Sequence, residues 1–176
     1  MSQAEIAGGA VTPPNELPSK GRRLRDFGLL STLGRKIWLS EYRGRSNLVV
    51  VVADDRTETT TLLRSLASQY TKFKAEESEV LAIVSLSPQH ASEMSQRLGI
   101  PFPILIDEES RIHSEFGAVD ERGDAAAVYI TDRFGEVFGV YRTRDRQSLP
   151  DITEIVNWLE FINSQCPECE PPEWPA

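Results

Sequence analysis

Few side chains in this sequence could do nucleophilic or redox chemistry. The only two cysteines are Cys166 and Cys169, and the only two histidines are His90 and His113. Two thiols separated by two residues can close an internal disulfide, enter thiol exchange, or bind a metal with help, and this makes Cys166 and Cys169 the candidate redox pair. Their setting disfavours a thiolate. The pair follows a predicted helix C-terminus, whose dipole is negative, and Glu168 and Glu170 add further negative charge. Structural zinc needs four ligands, so two more would have to come from elsewhere, for instance from the same pair of a second subunit. No other spacing implies a metal or a cofactor.

A second place draws attention, "VVVVADDRTETTTLLRSLASQY", residues 49–70. Four apolar β-branched residues lead into a polar loop and then a helical pattern, which is how many α/β proteins present a reactive group at a helix N-terminus. The loop offers threonines where a thiol could stand. Thr57, Thr59 and Thr60 can cap the helix or hold an anion on its free backbone N–H groups. Thr60 would act as an acyl or phosphoryl nucleophile only beside a base, and no motif links it to His90 or His113.

The elements that must position these groups follow from apolar periodicity. The segments 48–53 and 79–86 are continuously apolar, the pattern of strands buried on both faces of a sheet. Between them Leu62, Leu63, Leu66, Ala67, Tyr70 and Phe73 recur at three- and four-residue spacing, which predicts one helix of about 16 residues. Pro88 and Gly99 bracket a further helix, so strand, helix, strand, helix and the strand in "PILIDE" imply parallel pairing through right-handed crossovers. A short helix in "ESRIHSEFG" ends at Gly117. The run "AAAVYITDRFGEVFGVYR" reads as two strands around a turn at Asp132 to Gly135, and Asp151 is placed to cap a last amphipathic helix. Upstream, "RDFGLLSTLGRKIWLSEYRG" fits a hairpin. The expected class is α/β, a central mixed β-sheet flanked by α-helices with an N-terminal β-hairpin extension.

Composition sets the outer bounds. The chain has 176 residues, 40% hydrophobic and 26% charged, the size of one domain with a full core and modest tails. Residues 1–19 carry Gly8-Gly9 and three prolines without periodicity and are expected to form a loose arm; the domain is expected over 20–164 and a tail over 165–176. The longest apolar run falls far short of the roughly 20 residues that cross a bilayer, and no basic-then-apolar leader opens the chain. These features point to a cytoplasmic protein without a membrane partner. The net charge is −8 although residues 20–45 are basic; without a nucleic-acid motif, that segment reads as a solvated face and no nucleic-acid partner is expected.

The segment "RDFGLLSTLGRKIWLSEYRGRSNLVVVV" resembles the start of the peroxiredoxin-like (alkyl hydroperoxide reductase and thiol-specific antioxidant) branch of the thioredoxin superfamily. "VLAIVSLSPQHASEMSQRLGIPFPILIDEESRIHSEFGA" is similar to the family's strand, helix and FP-x-L-x-D segment, and "VYITDRFGEV" to its Asp-x-x-Gly turn. The likeness covers about residues 25–162 and implies a thioredoxin-like fold. It also implies a site at Pro-x-x-x-Thr-x-x-Cys, with the cysteine as peroxidatic nucleophile and an arginine nearby. Here the spacing is intact, but Ala53 stands for the proline, Thr60 for the cysteine and Ala126 for the arginine; Thr57 alone keeps its type.

Peroxide reduction needs a thiolate whose pKa is lowered from about 8.5 by cationic neighbours, and a threonine hydroxyl cannot replace it. Two readings stand. One is a thiol-redox protein without ordinary peroxidase activity, its disulfide exchange carried by Cys166 and Cys169 with a protein thiol or disulfide partner. The other is a catalytically silent binding or structural domain in which the pair is a tail disulfide or an inter-subunit metal clip. Trp158, Phe161 and Trp174 leave a homodimer surface open, with core packing or tail docking as the ordinary alternatives.

Overall fold

A computed structural model describes residues 10–123 and 125–165. Its strands are β1 (Gly28–Ser31), β2 (Lys36–Trp38), β3 (Asn47–Ala53), β4 (Ser78–Val84), β5 (Ile104–Ile106), β6 (Ala127–Thr131) and β7 (Val137–Arg142). The helices are α1 (Thr57–Ser68), α2 (Tyr70–Ala75), α3 (Pro88–Leu98), α4 (Arg111–Glu115) and α5 (Ile152–Ser164). One seven-stranded sheet has the order β2-β1-β5-β4-β3-β6-β7. The strands β3, β4 and β5 run parallel, while β6 joins β3 antiparallel and the β1–β2 hairpin joins β5 antiparallel. The expected mixed sheet, its hairpin extension and its flanking helices are all present.

Every residue of β3 and β4 is buried, as their unbroken apolar runs require. Alternate residues of β3 serve opposite layers, because side chains in a strand alternate between faces. Val49, Val51 and Ala53 pack with the apolar stripes of α1, α3 and α5. Leu48, Val50 and Val52 pack with Phe27, Ile112, Phe116 and Tyr129 on the other face. The helix brackets also hold: Ser87 Oγ accepts from His90 N–H before Pro88, and Gly99 closes α3 at φ 62°.

Two local expectations are corrected. The single helix of about 16 residues is broken at Gln69 (φ −108°, ψ 9°), so that α2 leaves α1 at an angle. The break lets Phe73 become fully buried while the Tyr70 hydroxyl donates to Glu79 Oε1 at 2.6 Å and Lys74 Nζ reaches Glu79 Oε2 at 3.0 Å. The expected loose arm is packed along residues 10–19. Thr12 is buried and gives both its N–H (2.9 Å) and its hydroxyl (3.0 Å) to the Arg23 carbonyl, and Arg23 N–H returns a bond to the Ala10 carbonyl. A Pro- and Gly-rich segment has no internal ladder, yet it can lie as a strap that takes its hydrogen bonds from elsewhere. Residues 21–24 pair with the turn and first residue of β7, through Gly21 N–H to Val137 O, Val137 N–H to Arg22 O and Leu24 N–H to Gly135 O, which covers that end of the sheet edge.

Candidate functional site

β3 ends at Ala53, at the carboxyl edge of the parallel strands, and the chain turns through Asp54, Asp55 and Arg56 into α1. Arg56 stands at the N-cap and its side chain makes no cap bond. Asp54, two residues earlier, fixes the loop instead: its Oδ1 accepts from the N-cap residue's own N–H, that of Arg56, at 3.2 Å and from the Thr59 hydroxyl. Thr59 is therefore buried as a donor. Thr60 occupies the first turn of α1, half-buried, with its N–H on the Arg56 carbonyl at 3.1 Å. That is where the sequence resemblance expects a nucleophile.

Thr60 lines a cavity of about 640 Å³. One wall is the loop from Ala53 to Asp55, a second is the end of β4 with Ser85, a third is α3 with Met94 and Arg97, and α4 closes it with Ser110 and His113. The family-site positions do not all meet there. Thr57 lines a separate cavity of about 760 Å³ against the segment 143–153. Ala126 is fully buried and lines neither; its N–H donates to Thr143 Oγ1 at 2.9 Å and its carbonyl accepts from Thr143 N–H at 3.0 Å. The arginine of the loop, Arg56, faces carboxylates instead, with Asp54 at 3.5 Å and Asp120 at 3.9 Å.

Sequence reasoning missed the most connected polar group of this site. His113 is buried on α4; its Nδ1 lies 2.7 Å and its backbone N–H 2.8 Å from Asp107 Oδ2, and its Nε2 lies 3.0 Å from the Ala53 carbonyl. Burial pushes the Asp107 carboxyl up, but hydrogen bonds from the His113 ring and backbone outweigh it and hold the group below its ordinary range. A signal existed in part, since His113 stands three positions before Phe116, on the same face of a short helix turn, and buried polar groups need partners. The partner at Ala53, sixty positions earlier, has no local signature.

The arrangement excludes several chemistries. No thiol exists among residues 1–165, and Cys166 and Cys169 lie outside the described residues. His113 Nε2 is engaged by a carbonyl and is not placed to take a proton from Thr60. Among the described residues no cluster of three His, Cys, Asp or Glu side chains is placed to hold a metal, and no helix is long and apolar enough to cross a membrane. What remains is a cavity with an apolar floor and a mixed polar rim. Its volume falls within the roughly 300–1,000 Å³ of ordinary small-molecule sites.

Comparison with known proteins agrees with this geometry. The sequence profile of the AhpC/TSA family matches residues 21–140. A chloroplastic peroxiredoxin Q of Oryza sativa subsp. japonica is 28% identical over 130 residues, covering 72% of this chain and 60% of that protein. The chloroplastic peroxiredoxin Q of Gentiana triflora is 26% identical over 184 positions, covering 93% of this chain and 83% of its own length. Among solved structures, peroxidoxin BcpB from Mycobacterium tuberculosis superimposes with a TM-score of 0.69 at 13% identity, over 85% of this chain and 98% of that one. The fold is thus shared far beyond detectable sequence identity, and with a family profile spanning most of the described residues this chain belongs to the AhpC/TSA family of peroxiredoxin-like, thioredoxin-fold proteins.

Proposed function

We propose that this chain is a peroxiredoxin-like redox protein that does not reduce peroxides at its ancestral site and whose thiol chemistry is disulfide exchange by Cys166 and Cys169 with a protein thiol or disulfide partner. One observation supports the reading: Thr60 stands in the first turn of α1, where the family resemblance expects the nucleophile, while Ala126, where it expects an arginine, is buried with its backbone hydrogen-bonded to Thr143. A peroxidatic thiol needs a sulfur with a cation beside it; no sulfur stands at Thr60, and the cations near it, Arg97 on the cavity wall and Arg56 on Asp54 and Asp120, are not at the position the family resemblance gives its arginine. The only thiols of the chain are then the redox pair.

The test follows peroxide consumption and disulfide reduction by the pure full-length protein beside its Cys166→Ser/Cys169→Ser variant. Disulfide reduction lost in the variant, with no peroxide consumption in either, is the expected result. Peroxide turnover that survives the double substitution would overturn the proposal. A second reading, a silent binding domain, is favoured by the cavity beside Thr60, and absence of both activities in the unaltered protein would select it.

A further inference from the structure

We infer that both ring nitrogens of His113 donate hydrogen bonds in the folded protein and that, with Asp107, it is the positioning residue of the loop that carries Thr60. The argument is one of complementary donors and acceptors. The Ala53 carbonyl can only accept, so Nε2, 3.0 Å away, carries a hydrogen. Asp107 Oδ2 already receives the His113 backbone N–H at 2.8 Å, and its carboxyl is held in the ionised form, so Nδ1 at 2.7 Å donates as well. A neutral imidazole has a single N–H and would turn a bare lone pair on one of these two acceptors.

Burial makes the pairing consequential. The His113 and Asp107 side chains are 6% and 3% exposed, so water cannot substitute for a missing donor. His113 takes over on one side of the strand: the ladder between β3 and β6 ends at Val52 opposite Ala127, one residue before the carbonyl that His113 takes, while on the other side Ala53 still pairs with Val84 of β4. The bond therefore ties α4 to the chain just as it leaves the sheet, and these are two walls of the same cavity. The other ionisable groups on that cavity are Asp54 and Asp55 on the loop and His90, Glu93 and Arg97 on α3. Asp107, not these, touches the ring. The inference is independent of Cys166 and Cys169.

Two measurements on the full chain decide it. Nitrogen-15 spectra of histidine-labelled protein at neutral pH should show both ring nitrogens of His113 bearing hydrogen, with exposed His90 as the internal reference. A bare nitrogen on His113 would overturn the inference. Amide hydrogen exchange should then rise by roughly tenfold across residues 54–60 in Asp107→Asn and in His113→Gln, with the amides of β4 unchanged. Equal acceleration in both regions, or none at 54–60, would show that the pair does not position the loop. The spectra use the unaltered protein and give an answer even if a variant fails to fold.

Discussion

The starts of α1 and α5 meet the same requirement in different ways. A helix opens with backbone N–H groups that have no partner inside it. At α5 the requirement is met locally: Asp151 Oδ1 accepts from Glu154 N–H at 2.8 Å, and Glu154 Oε2 accepts from Asp151 N–H at 3.1 Å. At α1 the N-cap side chain makes no cap bond, Asp54 in the loop takes only the N-cap N–H and the Thr59 hydroxyl, and the strand end before it is held by His113 from another helix. A start closed by its own residues is indifferent to its surroundings. One held from a distance depends on the packing of another element, and here that element, α4, also lines the cavity beside Thr60.

If this contrast is right, the distant anchor should matter more to stability than the local cap. Asp107→Ala removes one partner of a buried pair and should destabilise the fold by about 3–5 kcal/mol, read as a lower urea midpoint. A loss equal to that of a surface cap would erase the contrast. The same pair predicts a pH dependence. Asp107 ionises more readily in the folded chain than its ordinary 3.8, so its contribution is complete above that value and is lost as pH falls through the lower folded value. The unaltered protein should therefore lose stability on acidification more steeply than Asp107→Asn.

The next effect belongs to Asp54. Asp54→Ala strips the acceptor of the Arg56 N–H and of the buried Thr59 hydroxyl and should cost about 1–3 kcal/mol in chemical denaturation. Asp151→Ala at α5 should cost about 1 kcal/mol, the usual worth of an N-cap, and should leave hydrogen exchange at 54–60 untouched. Smallest of all should be Thr60→Cys, within about 0.5 kcal/mol of the parent, since Thr60 is half-buried and its hydroxyl makes no hydrogen bond among the described residues. The new thiol should consume peroxide weakly, because no arginine stands at Ala126 and Arg56 faces Asp54 and Asp120. Rapid turnover by that single variant would show that the site had lost only its sulfur.

Where the sequence was readable, the physics was local. The unbroken apolar runs of β3 and β4, the Pro88 and Gly99 brackets of α3 and the Asp151 cap of α5 are each decided by residues within a few positions of one another. The break at Gln69 was not readable, because the three- and four-residue spacing continues through it and only the docking of Phe73 and the pull of Glu79 on Tyr70 and Lys74 favour the bend. The strap at residues 10–19 escaped for a similar reason. Thr12 and Ala10 bond to Arg23 and the Pro18 carbonyl accepts from Arg142, and nothing in the segment's own composition says so.

The candidate site divides along the same line. That a threonine-rich loop follows the first core strand and that every thiol lies beyond residue 165 are properties of the order of residues alone. Tertiary structure alone decided that Thr57 and Thr60 face different cavities, that Ala126 is closed off by Thr143, and that His113 reaches Ala53. A covalent sequence specifies which donors and acceptors exist. Which of them meet is settled by how the helices pack on the sheet, since a buried ring can satisfy both nitrogens only with whatever acceptors that packing brings within about 3 Å.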